Sequence, residues 1–217
     1  MNQTLLDTVA PLQRLSLGYA PEASRTALLA FFALDARFAG IVRNSREPML
    51  AQLRLSWWRE QIASSDLTQA GADPLIEALQ SWPGERGVLS GLAEGWEALT
   101  GPTPLPAEAL DLLAQSRGNA FAALAGSQKH RIDARRMGEN WALADIAAHL
   151  SDERERKAAL QLASSRNWQQ ASLPRSLRPL AVLHALAARS IRRNIAISAL
   201  SGAGAALTAL RAGLLGR

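Results

Sequence analysis

The chain contains no cysteine, which excludes disulfides, thiolate metal centres and a cysteine nucleophile and fits a reducing compartment. It holds one Tyr and four Phe against six Trp, β-branched residues are few, and the alternation of a sheet is missing. An Ala- and Leu-rich chain of this kind is expected to be all-α. Long apolar runs are also absent. The best candidate, "NIAISALSGAGAALTAL" between Arg193 and Arg211, has 17 residues and is interrupted by Gly and Ser, against the roughly 20 apolar residues that a membrane span requires. The opening "MNQTLLDTVAPLQRL" lacks the basic start and continuous apolar stretch of a signal peptide. The expected location is cytoplasmic, at most peripheral to the inner membrane.

Acid is missing from one end. The chain carries 24 basic and 19 acidic residues, a net charge of +5. All 19 acids lie in residues 1–157 with 16 basic residues, a net −3, whereas residues 158–217 hold eight arginines and no acid. Lysine has nearly disappeared, leaving Lys129 and Lys157. An acid-free, arginine-bearing tail is suited to an anionic membrane surface or to phosphate groups. Arg189, Arg192, Arg193 and Arg211 are the residues expected to face such a membrane. Nucleic acid is not an expected partner, because no recognition module is present and aromatics are not interleaved with the basic residues.

At 217 residues the chain is short enough for one core, and a single helical domain over 1–217 is the expectation. Gly, Pro and Ser punctuate the sequence into helices near 3–14, 21–43, 47–63, 73–82, 87–99, 105–125, 132–151, 153–165, 176–200 and 204–215. The connections "SSDLTQAGADP", "WPGERG", "LTGPTPLP" and "SSRNWQQASLP" are short enough to be turns.

The segment "LAQLRLSWWREQI" sets a geometric problem, because neighbouring residues on a helix point about 100° apart. Met49, Leu50, Leu53 and Trp57 fall in one sector, and Ala51, Leu55, Trp58 and Ile62 in a second. Two apolar sectors predict a central helix packed on both sides, with Arg54 in the gap between the indoles and directed into the interior. A buried arginine needs a partner. In the preceding helix, Asp35 sits in the middle of the stripe Leu28, Phe31, Phe32, Phe38, Ala39 and Val42. The short connection before Pro48 folds these helices into a hairpin, so Asp35 is expected to pair with Arg54 or Arg25.

The stretch "SRTALLAFFALDARFAGIVRNSREPMLAQLRLSWWREQI" resembles the N-terminal signature of the squalene/phytoene synthase family: an arginine before an Ala/Leu/Phe-rich helix, then a helix of the Arg-x-x-Trp-Trp-Arg type. "DPLIEALQ", "GLAEGWEAL" and "SLPRSLRPLAVLHALAAR" resemble further family segments. The likeness is strongest to the short, synthase-like branch of the complex I assembly-factor type. It implies an all-α isoprenoid-synthase bundle around a central cavity. Family enzymes hold Mg²⁺ between two Asp-rich motifs on facing helices, where the metal bridges carboxylates to a substrate diphosphate and helps it leave. In the family frame the first motif falls on Ala39, Gly40 and Arg43, none of which binds a metal. Near the second lie Asp145, His149 and Asp152, without the family spacing.

Other chemistry is not signalled. His130, His149 and His184 are isolated, with no Ser-His-Asp arrangement, nucleophile elbow or Gly-rich phosphate loop after a strand. No catalytic or metal-ligating residue is therefore assigned, and no cofactor is expected. The candidate ligand-binding residues are Arg25, Asp35, Arg54, Trp58, Asp145, His149 and Asp152. Together these features imply a non-catalytic, synthase-like protein that acts as a membrane-associated assembly or interaction factor. Its expected partners are an anionic membrane surface, a protein, and an isoprenoid or lipid ligand. The alternative is a prenyl-diphosphate transferase of the head-to-head condensing type with an altered Mg²⁺ site.

Overall fold

The computed structural model describes residues 2–64 and 73–216. Most of the expected turn "SSDLTQAGADP", and Arg217, lie outside the described residues. Among those described there are eleven α-helices and no strand: α1 (Gln3–Thr8), α2 (Pro11–Leu17), α3 (Glu22–Asn44), α4 (Pro48–Ala63), α5 (Pro74–Gln80), α6 (Gly87–Glu97), α7 (Ala107–Ala123), α8 (Gln128–His149), α9 (Glu153–Ser164), α10 (Arg178–Arg193) and α11 (Ala203–Leu215). The all-α expectation holds.

Where boundaries differ from the sequence reading, local chemistry explains them. The helix expected over 3–14 is two helices, because Pro11 has no N–H to continue the ladder and instead opens α2 at its first turn. The start of α8 is four residues earlier than expected, at Gln128, where the Ser127 side chain accepts from the His130 N–H. The helix expected over 176–200 stops at Arg193, where Asn194 adopts the left-handed conformation with φ 52°.

A continuous apolar core runs from Leu5 to Ala212. Its central helix is α3, in which every residue from Ala27 to Asp35 is buried. It meets α1, α2, α4, α5 and α6. The most intimate pair is α7 with α8. Glycines permit that approach: a Cβ on Gly118 would lie 2.7 Å from the Arg135 carbonyl oxygen, and one on Gly138 would lie 3.0 Å from the Gly118 Cα.

The central position expected for α4 is not observed. Only Ala51, Leu55, Trp58 and Ile62 are buried, one stripe at i, i+4, i+7 and i+11 that packs chiefly against α6. The other apolar sector faces outward, with Met49 67%, Leu53 60%, Trp57 45% and Leu50 44% exposed. Periodicity reports which residues are apolar, and among the described residues nothing covers the second set. Arg54 is correspondingly exposed rather than directed inward, and the expected Asp35–Arg54 pair does not form.

Candidate functional site

The polar centre of the molecule is built from four helices. Asp35 comes from α3, Trp96 from α6, Arg117 from α7, and Asp145 with Trp141 from α8. The Arg117 Nη2 lies 2.8 Å from Asp35 Oδ2, and its Nη1 lies 3.0 Å from Asp145 Oδ2. Arg117 Nε and the Trp96 indole N–H both donate to Asp35 Oδ1, at 3.0 and 2.8 Å. The guanidinium carbon sits 5.2 Å from the Trp96 ring and 5.4 Å from the Trp141 ring, within cation–π range of both.

These contacts decide the charge state. Burial pulls the Arg117 pKa down, but the attraction and hydrogen bonds of Asp35 and Asp145 outweigh it and hold the pKa above its ordinary value. Arg117 is therefore a fixed cation between two carboxylates. Around it the interior is aromatic: Phe31 packs on Phe121 at 5.1 Å and on Phe32 at 5.3 Å, and Trp141 closes on Phe121 at 5.7 Å. Between α3 and α8 the Phe32 and Trp141 rings meet edge to face at 6.2 Å.

The expected partner of Asp35 is thus corrected from Arg54 or Arg25 to Arg117. Arg25 lies near the start of α3, where its Nη2 donates to the Ala20 carbonyl at 2.7 Å. Arg54 and Trp58 share a shallow recess of about 380 Å³ between α3 and α4, with Arg37, Ile41, Leu53 and Trp57. His149 is on the rim, its Nδ1 2.8 Å from the Asp145 carbonyl and 3.7 Å from Asp145 Oδ1. Asp152 caps α9, accepting from the Arg154 and Glu155 N–H groups; hydrogen bonds from Arg154 lower its pKa. Of the seven candidate residues, the structure joins Asp35 to Asp145 through Arg117, with His149 beside Asp145. Arg25, Arg54, Trp58 and Asp152 have other surroundings.

Arg117, Trp96 and Trp141 were missed from the sequence. A signal existed for the first: Leu110, Leu113, Ala114, Arg117, Ala120 and Phe121 are all buried at helical spacing. Arg117 interrupts that stripe just as Asp35 interrupts its own.

Residues 14–96 match the model of the squalene/phytoene synthase family. No curated protein and no solved structure matches the chain. The squalene/phytoene synthase match covers Asp35 and ends on Trp96, one of its hydrogen-bond donors. Arg117 and Asp145 lie beyond it.

Squalene/phytoene synthase chemistry implies Mg²⁺, and the residues present do not fit that ion. The two carboxylates that face each other from α3 and α8 are engaged by a guanidinium, leaving no oxygen pair free to close on an octahedral ion. A Cβ on Gly40 would meet nothing within 4 Å, Ala39 is half-buried and Arg43 is exposed. Among the described residues, no group of three or more His, Asp or Glu side chains converges as a metal site.

A broad groove of about 1160 Å³ runs over α7 between α6 and α8, with Glu94 on one wall and Arg131 and Arg135 on the other. In its lining, burial beside Asp111 raises the Glu139 pKa, with Arg166 opposing the shift. His184 of α10 is buried and neutral. Its Nδ1 lies 2.7 Å from Gln170 Oε1, its Nε2 3.4 Å from Asn140 Nδ2, and its ring stacks on Trp168 at 5.3 Å. Those partners assign Nδ1 as the donor and Nε2 as the acceptor. Burial, then the charges of Arg136 and Arg192, push its pKa down to about 3.

Proposed function

We propose that this protein is a non-catalytic, squalene/phytoene-synthase-like bundle that works by contact, as a membrane-associated assembly or interaction factor. The observation that carries the reading is Arg117. A guanidinium clamped between Asp35 and Asp145 is a covalently attached cation, held where two facing carboxylates would otherwise be available to a metal. Displacing it would leave a buried charge without partners, which costs several kcal/mol.

The uncovered sector of α4 supports the interaction half of the reading, because four large apolar side chains on one face of a helix mark a surface built for contact. The membrane half rests on the tail. Arg192, Arg193 and Arg211 are exposed and Arg189 is half-buried, with no acid nearby in sequence. No described helix is long and apolar enough to cross a membrane, so contact would be peripheral. An isoprenoid or lipid chain would use the apolar recess between α3 and α4.

The alternative reading, a prenyl-diphosphate transferase, is favoured by the family match alone. Calorimetric titration with MgCl₂ in the presence of inorganic pyrophosphate separates the two. The expected result is no saturable Mg²⁺ uptake beyond that of the same pyrophosphate titrated without protein. Tight binding that is lost in Asp145→Asn would contradict the proposal.

A further inference from the structure

The helix α11 is built inside out. Its inner face is made of Ala205, Ala209, Ala212 and Gly213, all buried. Small residues let it lie close to the body: the Gly213 backbone abuts the Tyr19 ring, and Gly204 abuts the Arg189 guanidinium. Its leucines point away, with Leu207 66%, Leu214 57%, Leu215 54% and Leu210 47% exposed. Leu207, Leu210 and Leu214 follow one another at i, i+3 and i+7, a single line along the outer face. A helix serving only the core would show the reverse, leucine inside and alanine outside.

The chain that carries this line bears charge of one sign. No acidic residue follows Glu155 in the sequence. Arg211 stands one position after Leu210, and α10, against which α11 packs, ends in Arg192 and Arg193, both exposed. The Tyr19–Gly213 contact also brings the end of α2 alongside, where Leu15 is 52% exposed. An apolar ridge flanked by arginines, on a stretch of chain that carries no acid of its own, has the two properties an interfacial helix needs: area to bury among acyl chains and cations to meet anionic headgroups. The free sector of α4 lacks this bias, since Glu47 and Glu60 accompany it.

We infer that α11 lies in the plane of an anionic bilayer surface and inserts Leu207, Leu210 and Leu214 at the headgroup–acyl boundary, while the arginines of α10 and Arg211 contact the headgroups. The inference rests on the membrane-associated reading above and names the element that does the binding. It also changes the expected balance of forces, since insertion of the leucines resists salt in a way that arginine attraction alone does not.

The test is co-sedimentation of the full chain with vesicles of phosphatidylcholine alone or mixed equally with phosphatidylglycerol. Wild type should bind the anionic vesicles and leave the neutral ones. The variant Leu207→Ser/Leu210→Ser/Leu214→Ser, whose changes are all on exposed positions, should lose at least about tenfold in partitioning at unchanged helicity. Equal binding by this variant would overturn the role of α11 while leaving a purely electrostatic membrane reading intact. That reading has its own control, because Arg189→Glu/Arg192→Glu/Arg193→Glu should then abolish binding. Wild type that stays in solution at low salt would overturn both. Should the leucine variant fold poorly, hydrogen exchange of the wild type decides: vesicle-dependent protection of 203–215 supports the insertion, and unchanged exchange there overturns it.

Discussion

Replacing Arg117 with methionine should destabilise the fold by about 3–5 kcal/mol, which corresponds to a fall in melting temperature of roughly 10 °C for a chain of this size. The loss comes less from the missing attraction than from what stays behind. Asp35 is 2% exposed, and without Arg117 its charge has only the Trp96 N–H to meet it. Asp145 is better placed, since 17% of its side chain reaches solvent. The second variant therefore targets Asp35. In Asp35→Asn/Arg117→Met the buried charge is gone while an amide oxygen still accepts from Trp96. This pair should recover at least half of the lost stability in urea melts, a coupling expected only of residues in direct contact. Independent, additive losses would mean that Arg117 is held by something other than this carboxylate.

The stability of the wild type should also fall steeply in mild acid, because of His184. Its folded pKa is about 3 against an ordinary 6.5. Between those values the unfolded chain binds the proton and the folded chain does not, so stability decreases as pH decreases. The contribution is complete above about pH 6.5 and is spent by about pH 3. Over the step from pH 7.5 to 5 it amounts to about 2 kcal/mol. The groups facing the ring are Gln170, Asn140, Trp168 and the charges of Arg136 and Arg192, and no carboxylate among them offsets protonation. Urea denaturation of wild type and His184→Gln at the two pH values isolates this histidine, because ordinary carboxylates change little across that range. The variant should show a correspondingly shallower dependence. Parallel curves would show that His184 titrates alike in both states.

Much of the fold was legible in the sequence because it rests on local signals. Helical periodicity, proline at helix starts and the lack of β-branched runs act over a few residues, and the observed helices follow them closely. The burial of Asp35 was legible for the same reason, from its place within an apolar stripe. Its partner was not. Arg117 is 82 residues away, and nothing local to either residue encodes which helix faces which. The outward sector of α4 and the leucine ridge of α11 illustrate a different limit. An apolar stripe states that a surface avoids water, but only the packed structure states whether this chain or another molecule covers it. Gly118 and Gly138 lie inside the helices expected over 105–125 and 132–151 and carry no local mark of their role, yet they are the contact that brings α7 and α8, and hence Arg117 and Asp145, together.

The proposal that the chain does not carry out a prenyl transfer rests on Arg117, which stands between Asp35 of α3 and Asp145 of α8. It is tested most directly by incubating the purified protein with farnesyl or geranylgeranyl diphosphate and Mg²⁺ and measuring the release of pyrophosphate. The account predicts release no faster than in a control without protein. Turnover above that control that disappears in Asp145→Ala or Asp152→Ala would contradict it.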